Sequence, residues 1–370
     1  MTKLLILHCG HPKTGTSSLQ RFLAENTENL AEKGILYPVL KRRAVVDPAP
    51  WGEFQHGPVF EVLSKKGRAG PNSRLSELMS AIKEKEHDVL VLSSESLFRP
   101  LFYTQQKIIP EYFSSLGYRI VTVSYLRDQT DRLNSAYTQQ SKTGRPVGTI
   151  DTFLSHQLSK ASNMDGAGNS TYDYTRLLQK EHLSWGEQVW RPFSADVKSS
   201  GIEADFLGTI APFCSSAGVP LPVEFRPTPR ANDGDGTVLV ATARSLGEIV
   251  AMRFKGLKPN DRDRRRASSQ VFRTASKVVS GIVEKDPKYQ GLTPSRRARI
   301  VDRFSAGNET VAAQLWGRPW EEIFPRPADE TLVCNDLSET ENRALKDLFQ
   351  TALPIARSRF QAALANLENR

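Results

Sequence analysis

Lys3-Leu-Leu-Ile-Leu-His-Cys-Gly-His-Pro-Lys-Thr-Gly-Thr-Ser-Ser18 reads as strand, loop and helix start in sixteen residues. The apolar run Leu4 to Leu7, bounded by Gly10, predicts a strand buried on both faces of a parallel sheet. From Ser17 onward Leu19, Phe22, Leu23, Leu30 and Ala31 fall on one helical stripe, and Gly34 supplies a stop. The loop between them lies where unpaired backbone N–H groups and the helix dipole both favour an anion. Gly15 permits close backbone approach, Lys13 brings a mobile charge, and Thr14, Thr16, Ser17 and Ser18 offer hydroxyl donors. A turn that merely caps a helix needs only one such hydroxyl. Lys13 precedes Gly15, whereas a Walker A loop ends in Gly-Lys-Ser/Thr, so the segment does not follow the kinase and ATPase pattern.

Working outward, further apolar runs at Val89 to Leu92, Ile120 to Leu126 and Val189 to Phe193 alternate with helical patterns. Such alternation predicts right-handed βαβ crossovers and a parallel sheet with ligands at the carboxyl ends of the strands. The Ile120 to Leu126 run leads into Tyr125-Leu-Arg-Asp-Gln-Thr-Asp-Arg-Leu-Asn-Ser-Ala-Tyr137, with Arg127 at the strand end and Ser135 eight residues later, inside the next helix. An Arg fork and a Ser hydroxyl at this spacing suit one phosphate. An ion-paired first turn of Asp128, Asp131 and Arg132 is the competing reading. Two phosphate devices roughly 110 residues apart, each at a strand end, call for a ligand with separated phosphates.

Pro12-Lys-Thr-Gly-Thr-Ser17 resembles the loop with which sulfotransferases hold the 5′-phosphosulfate of 3′-phosphoadenosine 5′-phosphosulfate (PAPS). The Arg127 and Ser135 pair is similar to the motif that holds the 3′-phosphate in that family. Gln129 departs from it, since related sequences often carry Pro there. The likeness continues through Tyr172-Asp-Tyr-Thr-Arg-Leu-Leu178, Trp185-Gly-Glu-Gln-Val-Trp-Arg-Pro-Phe193 and Asp205-Phe-Leu207, about the first 210 residues. The resemblance implies an α/β fold of P-loop type, three layers with a central parallel sheet and a helical C-terminal extension. It implies PAPS as co-substrate, released as PAP, a hydroxyl or amine acceptor such as a glycan or other hydroxylated metabolite, and Phe193 packed on adenine. No C-terminal Gly-x-x-Gly-x-x-Lys element of the cytosolic small-molecule enzymes is present, which leans toward a glycan.

Sulfuryl transfer needs a base for the acceptor proton and a cation for charge developing on the leaving group. Lys13 suits the second role. Two residues are candidates for the first. Glu95, in Val91-Leu-Ser-Ser-Glu-Ser-Leu97, follows a buried strand where the family carries its catalytic His or, in some glycan enzymes, a Glu. His56, in Trp51-Gly-Glu-Phe-Gln-His-Gly57, lies in a loop-rich segment and titrates near neutrality. A capping carboxylate and an ordinary loop histidine are the plain alternatives, and the two candidates rank equally. No HExxH, CxxC or paired-carboxylate spacing calls for a metal.

With 370 residues, 39% hydrophobic and 25% charged, the chain has the composition of a globular protein able to bury a sizeable core. Residues 1–215 are expected to form the PAPS-binding core. Residues 216–370 are expected to form a helical region packed on it, within the same domain and ending in a helix through Leu345, Leu348, Phe349, Leu353 and Phe360. The formal charge of +9 suits anionic ligands. Seven Lys or Arg lie between Arg253 and Arg266, followed by Arg296, Arg297, Arg299 and Arg303, and they could line an acceptor groove or simply face solvent. Zinc-finger, RNP and basic-zipper signatures are missing, which argues against nucleic acid. Three scattered cysteines, no signal-like start and no apolar run of spanning length lead to the expectation of a soluble cytoplasmic protein. A kinase with an unusual phosphate loop and a non-catalytic PAP or polyanion-binding module are the alternatives.

Overall fold

The computed structural model describes residues 2–40, 54–64, 74–95, 97, 108–142, 147–162, 172–178, 185–227, 235–253, 273, 275–277, 279–281, 283–326, 328 and 334–343. In chain order its main elements are β1 (Lys3–Gly10), α1 (Thr16–Glu25), α2 (Thr27–Ala31), β2 (Ile35–Leu36), α3 (Gly57–Ser64), α4 (Arg74–Glu84), β3 (Val89–Ser93), α5 (Ile108–Ser115) and β4 (Tyr118–Leu126). They continue with α6 (Gln129–Ser141), α7 (Ile150–Ser162), α8 (Tyr174–Leu178), β5 (Glu187–Pro192), α9 (Ala195–Ser200), α10 (Ile202–Ser216), α11 (Thr237–Arg253), α12 (Pro294–Trp316) and α13 (Trp320–Ile323). The chain divides into two compact units. The first comprises Met1–Asp128, Asn163–Ala231 and Phe304–Arg326, and the second Gln129–Ser162, Asn232–Arg303 and Pro327–Arg370.

The first unit holds a five-stranded sheet, order β2-β3-β1-β4-β5, whose ladders are all parallel. The fold is therefore mixed α/β around a parallel sheet, as the alternating apolar runs predict. β1 is its central strand, and the uninterrupted Leu-Leu-Ile-Leu run follows from burial on both sides. Leu4 and Ile6 join Val89, Val91, Val121 and Val123 in one core with Leu19, Phe22 and Leu23 of α1 and Phe206 and Ile210 of α10. Leu5 and Leu7 join Leu90, Leu92 and Ile120 in a second core, with Phe60 of α3, Leu78 of α4, Phe113 of α5, Val311 and Ala312 of α12 and Trp320 of α13. The period-two alternation of β-structure sends neighbouring side chains into opposite cores, and both faces of the sheet are covered.

Because every ladder is parallel, Gly10, Ser93, Leu126 and Pro192 end on one edge of the sheet. The loop before α1, Glu95, Arg127 and Phe193 all follow these ends. Gly34 (φ +76°) follows α2 as the expected stop, but the single helix expected from Ser17 to Ala31 is interrupted at Asn26 (φ −110°), which stands between α1 and α2. The two-residue strand β2 that follows it was not foreseen, since Ile35–Leu36 is too short to show a period.

The second unit, among the described residues, is helical apart from an isolated antiparallel bridge, Gly236 to Lys288. Asp286 fixes that corner by accepting hydrogen bonds from the backbone N–H groups of Val238 and Leu239, both at 2.9 Å. A carboxylate there meets the positive end of the α11 dipole. The expected terminal helix through Leu345 and Phe360 lies outside the described residues, as does most of the basic run 253–266. No helix of the described residues is long and apolar enough to cross a membrane.

Candidate functional site

The loop after β1 is built around two left-handed residues. Gly15 (φ +77°) stands at the N-cap of α1 and offers no side-chain cap. Lys13 adopts φ +74°, a conformation that costs an L-residue with a Cβ on the order of 1 kcal/mol. Thr14, fully buried, donates its hydroxyl to the His11 carbonyl at 2.6 Å and closes the turn from within. Thr16 is buried too, and its Oγ1 has no hydrogen-bond partner. A Cβ on Gly10 would come within 2.3 Å of that oxygen, so the strand end must be glycine for Thr16 to sit there. Ser17 and Ser18 are half-buried in the first turn.

β4 and β5 bring the other groups to this loop. Arg127 Nη1 donates to the Lys13 carbonyl oxygen at 2.6 Å. Its guanidinium carbon lies 5.7 Å from the centroid of the Phe193 ring, within cation–π range. Phe193 is held by its backbone N–H, which donates to Leu126 O at 2.7 Å, and its ring edge lies 3.2 Å from where a Cβ on Gly15 would be. Lys13, Gly15, Arg127 and Phe193 thus form one cluster within the first unit. Lys198 of α9 joins them with Nζ 5.9 Å from the Phe193 centroid. Sequence reading missed Lys198, because one lysine on a short exposed helix carries no pattern. Ser135 is half-buried on α6, beside the buried Asn134, and belongs to the second unit.

The corner after β4 is pinned from several sides. The Tyr174 hydroxyl donates to Arg127 O at 2.6 Å, and Trp320 Nε1 donates to Asp128 Oδ2 at 3.0 Å. The Tyr174 ring meets the His11 ring edge-on at 5.6 Å, so the same side chain touches both loops. On β5, two residues before Phe193, Arg191 forks onto Asp205 of α10, through Nε at 3.1 Å and a second short bond, and Tyr125 donates to the same carboxylate at 2.8 Å. Burial, with the Asp205 carboxylate beside it, pushes the Tyr125 phenol well above its ordinary range. Tyr125, Tyr174, Arg191 and Asp205 all lie in the quoted motifs, yet nothing in their spacing shows that they bond to one another.

The two base candidates have different surroundings. His56 is buried, and both ring nitrogens are engaged. Nδ1 accepts from the Ser93 backbone N–H at 3.0 Å, which leaves Nε2–H to donate to Pro38 O at 2.8 Å. Its own backbone N–H returns a bond to Ser93 O at 2.9 Å. Burial lowers its pKa to about 4. His56 thus clips its loop to the end of β3 as a neutral ring. Glu95 is half-buried two residues past the end of β3, where the Ser94 N–H donates to His8 O at 3.0 Å. On the α1 side of the sheet, Ser93 Oγ accepts from Gln20 Nε2 at 3.0 Å and lies 2.8 Å from Nδ1 of the buried His8. Burial lowers the pKa of His8 to about 3.

The basic helix α12 is occupied by ion pairs inside the second unit. Arg296 binds Asp151 at 2.6 Å and Asp336 at 3.5 Å, and Arg299 lies 3.5 Å from Asp151. Among the described residues no group of three or more His, Cys, Asp or Glu is disposed to hold a metal ion. No known protein-family model matches the chain, and no curated protein matches its sequence.

Proposed function

We propose that this chain is a PAPS-dependent sulfotransferase of the P-loop type, transferring a sulfuryl group to a hydroxyl or amine acceptor, with a glycan or other hydroxylated metabolite as the substrate class. One observation carries the reading: the loop before α1 and the Arg127 corner, over a hundred residues apart, meet through the 2.6 Å bond from Arg127 to the Lys13 carbonyl, with Phe193 against both. That arrangement suits a nucleotide bearing phosphates at two positions and an aromatic base. The buried Thr16 hydroxyl without a partner supports an anion at the loop, since such a group costs about 1–3 kcal/mol unless something accepts from it.

In the proposed reaction the acceptor oxygen or nitrogen attacks sulfur, a new bond to sulfur forms, and the bond from sulfur to the bridging phosphate oxygen breaks. PAP carries the electron pair away. The Lys13 ammonium stabilises charge on that oxygen. We assign the acceptor proton to Glu95, because both nitrogens of His56 are committed to backbone groups. The backbone N–H groups of residues 14–18 and the hydroxyls of Thr16, Ser17 and Ser18 hold the 5′ end, the Thr14 hydroxyl being committed to His11 O, while Arg127 takes the 3′-phosphate, as the resemblance implies. Phe193 takes the adenine face.

The test is thermal shift and titration calorimetry of the purified chain with PAP against ATP plus Mg²⁺, since a ligand of the folded state raises apparent stability by mass action. Stabilisation by PAP alone is the expected result. Preference for ATP with Mg²⁺ would replace this reading with the kinase, and indifference to both would replace it with a non-catalytic polyanion-binding module.

A further inference from the structure

Arg127 has a second task. Its Nη1 bond ends on a main-chain carbonyl, that of the one described non-glycine residue with positive φ. A left-handed residue with a Cβ persists only where its surroundings over-determine it. Three observations show what surrounds this one. The Thr14 hydroxyl ties the turn to His11 O at 2.6 Å. The backbone of Arg127 is itself anchored, its carbonyl by Tyr174 at 2.6 Å and the next side chain by Trp320 at 3.0 Å. The guanidinium then spans from this pinned corner to the Lys13 carbonyl, with the Phe193 ring beneath it.

We infer that Arg127 is a positioning residue for the phosphate loop, a strut that holds Lys13 in its left-handed conformation and so pre-forms the 5′ site before any ligand arrives. A preorganised site avoids the ordering cost of building itself on binding. A nucleotide with no 3′-phosphate therefore still depends on Arg127, although the 3′-phosphate contact proposed for this residue is then unused.

The test has two arms, of which only the second rests on the proposed nucleotide specificity. In the ligand-free protein, amide hydrogen exchange of the peptide covering His11 to Phe22 is compared between wild type, Arg127→Gln and Arg127→Lys, with global stability checked by circular dichroism. The strut predicts exchange about tenfold faster in Arg127→Gln at this peptide and unchanged in α4 and α5, because a lost charge-assisted hydrogen bond is worth about a factor of ten or more. Arg127→Lys, which can still donate to the carbonyl, restores part of the protection. It also serves as the test variant if Arg127→Gln does not fold, its exchange then falling between wild type and unprotected chain. Unaltered exchange in a folded variant overturns the inference whatever the ligand is.

In the second arm, AMP and PAP affinities are measured by calorimetry for the same proteins. The inference expects both to fall, AMP by about tenfold. A loss for PAP with AMP unchanged would mean that Arg127 serves the 3′-phosphate alone. If wild type binds neither nucleotide the proposed function fails, and the exchange arm decides the strut by itself.

Discussion

Two basic clusters in this molecule look alike in composition and differ in what they bond to. On α12, Arg296 and Arg299 face carboxylates, Asp151 and Asp336, and their charge is neutralised within the second unit. At the strand ends of the first unit, Arg127 directs a donor to a main-chain carbonyl, which holds a loop in place. Lys198 and Arg127 approach the same aromatic ring. Net positive charge therefore does not locate an anion site, since much of it is balanced locally. What marks the first cluster is cationic groups converging on a left-handed loop with a buried hydroxyl that lacks an acceptor.

The sharpest way to break this contrast is Lys13→Ala. If the loop is the anion site, PAP affinity and sulfuryl transfer both fall, the rate by about a hundredfold or more, as expected when a transition-state donor is removed. Intact PAP binding by calorimetry would move the site elsewhere. Lys13→Gly separates the charge from the backbone. It should lose function equally, yet melt about 2 °C higher than Lys13→Ala, because glycine adopts φ +74° without the penalty of about 1 kcal/mol.

Acid should divide the two units next. His8 and His56 are buried neutral in the first unit, with pKa values lowered by burial from 6.5 to about 3 and about 4. A depressed histidine pKa means that the unfolded chain binds the proton first, so the stability it lends is complete above pH 6.5 and drains away as pH falls toward 4 and 3. In the second unit the Arg296 hydrogen bond holds the Asp151 carboxyl below its ordinary 3.8, so that pair keeps its contribution down to lower pH. Hydrogen exchange at pH 7 and pH 5 should show β1 and β3 losing protection before α7. His56→Gln should flatten the first unit's response. Equal loss in both units at pH 5 would count against the buried neutral rings.

Much of the sheet was legible in the sequence, and for a physical reason. Leu4 to Leu7 and Val89 to Leu92 are apolar runs, and Ile120 to Leu126 is interrupted only by the buried Thr122 and Ser124, because both faces of each strand are buried. The loop was legible through Gly15, whose positive φ strains any other residue and where a Cβ would crowd Ile202 and Phe193 at 3.2 Å. The left-handed Lys13 was not, because lysine carries no signal for that conformation. His56 looked like a base, since sequence shows a titratable ring but hides the two backbone groups that occupy it. The tie from Trp320 to Asp128 spans 192 residues, a separation at which periodicity and spacing carry no information.

The smallest effect tests the other side of the comparison. Arg299 and Asp151 are each about half exposed, at 45% and 50%, and such pairs contribute roughly 0.2–1 kcal/mol. Arg299→Ala should therefore change the melting temperature by no more than about 2 °C and leave PAP affinity within about twofold of wild type. Arg296, only 17% exposed and shared between Asp151 and Asp336, should cost more on truncation, because both carboxylates lose their inner partner at once. A tenfold loss of PAP affinity in Arg299→Ala, measured by the same calorimetry, would mean that the ion-paired helix reaches the ligand. Its ion pairs would then not set that helix apart from the anion site.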